Sequence, residues 1–338
     1  MKPRLILLIA LSMVASILTF GLISRSSTAE AQVVTLKFAH QMVDTHPNHL
    51  AAKMFASKVD ERTKGQIKIN IYPANALGSP PEQAEQVRLG SIDMATPNQG
   101  SLDKYIRAVS VVLLPYAFDD LDHAHRVVDG PSWDWFSNLA EKEGFIFLAN
   151  WELGMRHITN SKRPILKPED VKGLKIRVPP EIQILATMEA LGAVCTKIAV
   201  QELYMALAQG VVDGQENPIQ FIYHNKWYEV NKYVALTNHG YSNLIHAIST
   251  KTWSKLTPEQ QKIFREESKL AGAYVRKISR ESDEDLIAKM EKMGVTITRP
   301  DPMPFRNLMG PATERCIKYS GEDNVKRFMK LVEEAMRK

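Results

Sequence analysis

The sequence predicts an α/β fold in two lobes, and three observations carry that prediction. The first is a recurring punctuation in which a helix-like stretch ends at a glycine and a short β-rich run follows. It occurs at Gly65 before 66–71, Gly90 before 91–94, Gly144 before 145–148, Gly173 before 174–178, Gly210 before 211–213 and Gly294 before 295–298. Glycine closes a helix in the left-handed conformation, so these units alternate helix with strand and imply largely parallel sheets. The second is length: 338 residues exceed what one core usually organises. The third is an internal echo. Arg88-Leu89-Gly90-Ser91-Ile92-Asp93 and Ala208-Gln209-Gly210-Val211-Val212-Asp213 share the glycine, a β-branched residue and the aspartate, which suggests equivalent corners in two similar lobes.

Composition narrows the class. With 44% apolar and 24% charged residues, disorder, collagen and disulfide scaffolds are excluded. Lys plus Arg number 43 against 38 for Asp plus Glu, with no basic run of five or six, so no nucleic-acid partner is expected.

From the N-terminus, Lys2 and Arg4 precede an uncharged 5–23, and Ala29-Glu30-Ala31 has the small-x-small pattern of a cleavage site. Residues 1–31 therefore read as a secretory signal peptide, cleaved near Ala31 and leaving a mature chain from Gln32; the rival is an uncleaved anchor. No later segment approaches membrane-spanning length, so a periplasmic, soluble chain without membrane insertion is expected. In that compartment Cys195 and Cys316 could bridge, but two buried thiols are the preferred reading. Helix starts follow at Ser79 before Pro80-Pro81-Glu82, at Asp120, and at Thr257-Pro258-Glu259-Gln260, a capping box with proline at the first helical position. From that box apolar residues keep helical spacing to Met293, which predicts a helix long enough to run across two lobes. Residues 305–338 read as two helices broken near Ser320-Gly321.

The stretch 151–217 is the most informative chemically. Arg156, Arg177 and Asn217 fall near the ends of predicted strands, where open α/β sheets bind ligands. Arg177 interrupts the strand-like 174–179, and its planar fork matches a carboxylate with two parallel hydrogen bonds. On the residues alone, a surface arginine on an exposed strand is the alternative. Asp119, Asp120, Asp122, His123 and His125 could hold a metal, but a helix cap with acidic first turn explains them better. His40, His46 and His49 lack any metal-motif regularity. Trp227 and Tyr228 read as core or lobe-interface aromatics, and Lys162 and Arg163 as a solvated turn. Nucleophile motifs such as G-x-S-x-G are missing.

Four stretches carry a family resemblance. They are Asp170-Val171-Lys172-Gly173-Leu174-Lys175-Ile176-Arg177-Val178-Pro179; the segment 202–218, ending in Gln215-Glu216-Asn217-Pro218; the segment 154–165, opening with Gly154-Met155-Arg156-His157; and Ile71-Tyr72-Pro73-Ala74-Asn75-Ala76-Leu77-Gly78. Together they resemble, over essentially the whole mature chain and in order, the solute-binding subunits of TRAP (tripartite ATP-independent periplasmic) transporters. The resemblance implies a periplasmic-binding-protein-like α/β fold with a cleft between lobes and a long helix spanning both. Lobe I would comprise 32–153 with 244–283, and lobe II 154–243 with 284–338.

By the same resemblance Arg177 pairs with a ligand carboxylate, Arg156 is a second cationic contact and Asn217 adds a hydrogen bond. His40, Asn98, Trp151 and His239 would line the pocket. Leu153 stands where the family often has asparagine, and Glu181 and Val200 lie near positions that vary with ligand. The implied function is capture of a small organic acid for ion-driven TRAP membrane subunits, by a monomer with no cofactor, metal or catalytic residue. The alternatives are a periplasmic hydrolase or lyase, with His40 or His239 as its base, and a ligand-sensing module. Monocarboxylates, 2-oxo or 2-hydroxy acids, dicarboxylates and aromatic acids all remain open.

Overall fold

Two sheets are built from the alternating segments. In the computed structural model, which describes residues 33–336, the first sheet contains β1 (Val34–Ala39), β2 (Ile67–Tyr72), β3 (Met94–Ala95), β4 (Phe145–Met155) and β10 (Tyr241–Ser249). The second contains β5 (His157–Asn160), β6 (Lys175–Val178), β7 (Val194–Lys197), β8 (Gly214–Asn217), β9 (Tyr233–Ala235) and β11 (Thr296–Thr298). Their orders are β2-β1-β3-β10-β4 and β11-β9-β5-β8-β6-β7. The leader expected at 1–31 lies outside the described residues. Among those described, no helix is long and apolar enough to cross a membrane.

The expectation of largely parallel sheets needs correction. β1 with β3, β6 with β7 and β8, and β9 with β11 are parallel, but β10 runs against β3 and β4, and β5 against β8 and β9. Connectivity is the reason. β4 leaves the first sheet and continues almost directly into β5 of the second, while β9 leads back into β10. A strand that crosses between lobes enters at the end where the resident strands finish, so it runs against them.

All six punctuating glycines have positive φ, from 69° to 91°. The sequence echo is one corner used once in each lobe. Ile92 and Val212 are buried. Asp93 Oδ2 accepts from the backbone N–H of Lys37 at 2.7 Å, and Asp213 Oδ2 accepts from that of Lys175 at 2.9 Å. Each aspartate thereby ties its corner to the strand that its own strand pairs with.

The predicted long helix is Pro258–Lys292, 35 residues or about 52 Å at 1.5 Å per residue. Its capping box is formed: Thr257 Oγ1 accepts from the Gln260 N–H at 3.2 Å, and Gln260 Oε1 from the Thr257 N–H at 3.0 Å. It packs on the helix Pro47–Arg62 and on β4 at the first lobe, and on the helix Ile219–His224 and β11 at the second. Gly272 permits the crossing over β4, because a Cβ there would sit 2.6 Å from the Asn150 carbonyl oxygen. Arg62 adds ion pairs to Glu266 and Glu267, each at 2.7 Å.

The C-terminal helices break at Ser320–Gly321 as expected, but 284–338 does not stay with the second lobe. Phe305, Met309 and Ala312 pack beside the helix Ile182–Ala190 of that lobe. The last helix, Glu322–Met336, returns to the first lobe, where Val325, Phe328, Val332 and Ala335 share a core with Phe118, Val127 and Tyr241. Its apolar stripe demands a groove, and His123 Nε2 and Arg126 Nε meet its Val332 and Ala335 carbonyls there. Cys316 is buried, Cys195 is half-buried, and both are free thiols.

Candidate functional site

The carboxyl ends of β1, β3, β6 and β7 converge on a cavity of about 270 Å³ between the two sheets, lined by residues of both lobes including Gln41, Asn98, Arg177, Glu181 and Lys197. Arg177 is the third residue of β6, so it stands at the end that open α/β sheets offer to ligands. Among the described residues its side chain is held by one hydrogen bond, from Nε to the Ile198 carbonyl at 2.9 Å. Among the described residues no carboxylate oxygen lies within 4.0 Å of it. Burial pushes its guanidinium down to about 10, against the upward pull of Glu216 and Glu181. Arg177 is thus a desolvated cation whose two terminal amino groups await a partner.

Across the cavity, Asn98 caps the short helix Gln99–Leu102, its Oδ1 accepting from the Ser101 N–H at 3.0 Å. Its Nδ2 donates to Glu181 Oε1 at 2.7 Å, a bond that joins the lobes. Burial raises the Glu181 carboxyl above its ordinary range, with Arg156 and Arg177 pulling the other way. Gly100 makes room for this contact: a Cβ there would lie 2.0 Å from Glu181 Cγ. Gly100→Ala is therefore expected to hinder lobe closure, weakening ligand binding by at least about tenfold, the equivalent of ~1.4 kcal/mol. Titration calorimetry checks this.

Behind Arg177 lies a second, internally paired cation. Arg156 sits between β4 and β5, with Nε donating to Glu216 Oε2 at 2.5 Å and Nη2 to Glu216 Oε1 at 2.7 Å. Nη1 donates to Ser242 Oγ at 2.8 Å, and Nη2 also to Asn217 Oδ1 at 3.1 Å. Burial would lower the Arg156 guanidinium, but Glu216 outweighs it and holds it above its ordinary value. Burial would likewise raise the Glu216 carboxyl, yet Arg156 pulls it down to about 2. Asn217 Nδ2 donates to Gln215 Oε1 at 2.6 Å, and His239 Nε2 meets Glu216 Oε2 at 3.1 Å.

The structure therefore brings Arg177 and Asn98 to the cavity wall, and joins Arg156, Asn217 and His239 in one network through Glu216. Two residues fall elsewhere. Trp151 corrects the sequence expectation: its indole is fully buried, donates to the Ser268 carbonyl at 3.0 Å, and packs against Phe38 and His246 under the long helix. It faces the core because β4 is covered on that side. His40 is also buried, with Nδ1 accepting from the Met42 N–H and Nε2 against His49 at 3.2 Å. Sequence reasoning gave Glu216 no role and Glu181 no contact. The signal for Glu216 was available, since a carboxylate beside Asn217 on a strand needs a cation.

The acidic run at 119–125 resolves into ordinary partners. Asp120 caps the helix Leu121–Val128, Asp122 pairs with Arg280, and His125 pairs with buried Glu152. Trp227 is buried against Phe221. Burial holds His40, His157 and His246 down to about 3, so the folded state keeps them neutral. A lowered base contributes stability above its unfolded value of 6.5 that is lost as pH falls toward 3. Each group weighs up to about 1.4 kcal/mol per pH unit. The melting temperature at pH 5 is expected to lie at least ~5 °C below that at pH 7; calorimetry at the two values reads this.

A bilobed α/β chain whose strand ends enclose a buried, unpaired arginine belongs to the class of proteins that capture solutes in a closing cleft. The chain belongs to the bacterial extracellular solute-binding protein family 7, whose model matches residues 38–319. It is similar to the 2,3-diketo-L-gulonate-binding periplasmic protein YiaO of Escherichia coli, with 33% identity over 84% of this chain and 87% of that protein. Among solved structures it resembles a TRAP periplasmic solute-binding protein of Sulfitobacter sp. NAS-14.1 with bound β-D-galacturonate. The TM-score is 0.85 and the identity 30%, over 88% of this chain and 99% of that one. A second, from Polaromonas sp. JS666 and bound to D-erythronate, has a TM-score of 0.84 and 32% identity over 88% and 98%. The TRAP resemblance read from four motifs thus extends along the chain, and the protein is a TRAP-type extracytoplasmic solute-binding protein.

Proposed function

We propose that the protein, cleaved near Ala31 and monomeric in the periplasm, holds one carboxylate of a small organic acid on Arg177 and presents the closed complex to TRAP membrane subunits. The observation that carries this is the buried Arg177 fork, which has no carboxylate within 4.0 Å among the described residues. An enclosed carboxylate loses its water, and a bidentate arginine offsets that loss. Arg156 spends its Nε and Nη2 on Glu216 and Asn217, leaving one Nη1 hydrogen for a ligand oxygen. Asn217 holds that arginine directly and His239 holds it through Glu216, Asn98 lines the cleft, and His40 braces the segment after β1. Closure follows from contacts that exist only when both lobes engage, so ligand shifts an open–closed equilibrium by its differential affinity.

The enzymatic alternative requires a base directed at the bound acid. Both ring nitrogens of His40 and both of His239 already have protein partners, which supports capture without turnover. The test is a thermal-shift screen of the chain from Gln32 against organic acids. At 1,000 times its Kd a ligand stabilises by about 4 kcal/mol, on the order of 8 °C. A selective shift without consumption of the acid is the expected result. Turnover of the acid, or no shift together with no acid released on denaturation, overturns the reading.

A further inference from the structure

Arg177 and Glu181 are both buried, both line the same cavity, and do not pair with each other. Glu181 Oε1 is engaged by Asn98, while Oε2 is buried and, among the described residues, has no hydrogen-bond partner. A carboxylate oxygen withdrawn from water and left without a donor is costly, so the closed cleft lacks one donor at Glu181 as well as one anion at Arg177. We infer that Glu181 selects the ligand, accepting a hydrogen bond from a hydroxyl on the acid whose carboxylate Arg177 holds, so that the cargo is a hydroxylated monocarboxylate. The inference rests on the proposed capture of a carboxylate by Arg177.

The same geometry disfavours dicarboxylates and 2-oxo acids. A dicarboxylate would bring a second anion beside a buried anion. A 2-oxo acid would present an acceptor to an acceptor, since an ionised carboxylate only accepts. An ammonium donor is disfavoured because Lys197, at the exposed edge of the cavity, adds a second positive charge to that of Arg177. The volume sets the size: about 270 Å³ is the room of about nine waters at ~30 Å³ each, which suits a short-chain acid. Rejection is sharper than attraction here, because a site built around a hydroxyl leaves a buried group unpaired when the hydroxyl is missing.

Matched acids test this in the chain from Gln32 by titration calorimetry: 2,3,4-trihydroxybutanoate against butanoate, 2-oxobutanoate and succinate, and gluconate against hexanoate. At least one hydroxylated acid is expected to bind at least about 100-fold tighter than its deoxy partner. In Glu181→Met that acid should lose at least about 100-fold while the deoxy partner changes little. Glu181→Gln, which keeps the Asn98 bond but removes the charge, should lose about tenfold and gain affinity for succinate. Unchanged deoxy binding within each variant shows that the cleft still forms. Undiminished hydroxy-acid affinity in Glu181→Met, or a wild-type preference for succinate or 2-oxobutanoate, overturns the role of Glu181 and leaves capture by Arg177 standing. If no acid of either series binds the wild type, both readings fall.

Discussion

Arg177→Met is expected to abolish capture of the acid and, in the same molecule, to raise the melting temperature of the ligand-free protein. The two effects share one cause. Arg177 stands desolvated with its terminal donors unmatched, and burial pushes it down to about 10. Below about pH 10, then, the empty fold carries the cost of a charged group it would rather neutralise, on the order of 3 kcal/mol at ~1.4 kcal/mol per pH unit. Methionine fills a similar volume without that cost. Binding loses a buried, hydrogen-bonded charge pair, worth about 2–5 kcal/mol when one partner is truncated, so Kd should rise by about 30- to 4,000-fold. Arg177→Lys should recover little of this, because an ammonium has no planar fork and could not keep the Nε bond to Ile198 while reaching the ligand. Calorimetric binding to the acid found in the screen, beside melting curves without ligand, measures both halves. Tight binding in Arg177→Met removes Arg177 from its assigned role, and a lower ligand-free melting temperature removes the strain argument.

Such a trade between stability and function explains what the sequence could reveal. Local rules fixed by backbone chemistry were legible. The glycine corners, the Thr257 capping box and the break at Ser320–Gly321 depend on residues within a few positions of each other, and all stand where the sequence put them. The repeated corner at Gly90 and Gly210 was visible because its anchoring aspartate is part of the same hexapeptide. Strand direction was not legible, since β5 and β10 are antiparallel only because the chain crosses between lobes before entering each sheet. Return of the last helix to the first lobe is equally non-local. Its Val325–Phe328–Val332 stripe announces an apolar groove without naming which one. At the site, β6 and the residue type placed Arg177. Trp151 failed for a reason of facing: residues on β4 alternate between faces, and one side of that strand is sealed by a helix from another part of the chain. Glu181 sits after Pro179–Pro180 in what reads as a loop, and its burial depends on Gly100 in the other lobe.

Glu216→Gln should be the most destabilising single change at the site. The carboxylate it removes is wholly buried and takes three donors: Arg156 Nε, Arg156 Nη2 and His239 Nε2. Breaking a buried pair from one side leaves the other charge stranded, at about 3–5 kcal/mol. At ~2–4 °C per kcal/mol for a chain of this order of size, the melting temperature should fall by at least ~6 °C. Because Arg156 holds the Glu216 carboxyl down to about 2, the pair contributes stability above the unfolded value of 4.5 and loses it only as pH falls toward 2. The deficit of the variant should therefore be the same at pH 7 and pH 5, unlike the histidine effect, which grows across that interval. A second substitution separates stability from positioning. Replacing both partners, as Arg156→Met with Glu216→Leu, removes both charges together, and such swaps are often neutral or stabilising. The double variant is expected to regain most of the lost stability yet bind the acid no better than Glu216→Gln, since Asn217 loses its anchor and the second cation proposed for the ligand is gone. Recovery of affinity along with stability would mean that the pair serves the fold alone; failure to recover stability would mean that its hydrogen bonds, rather than a stranded charge, account for the loss.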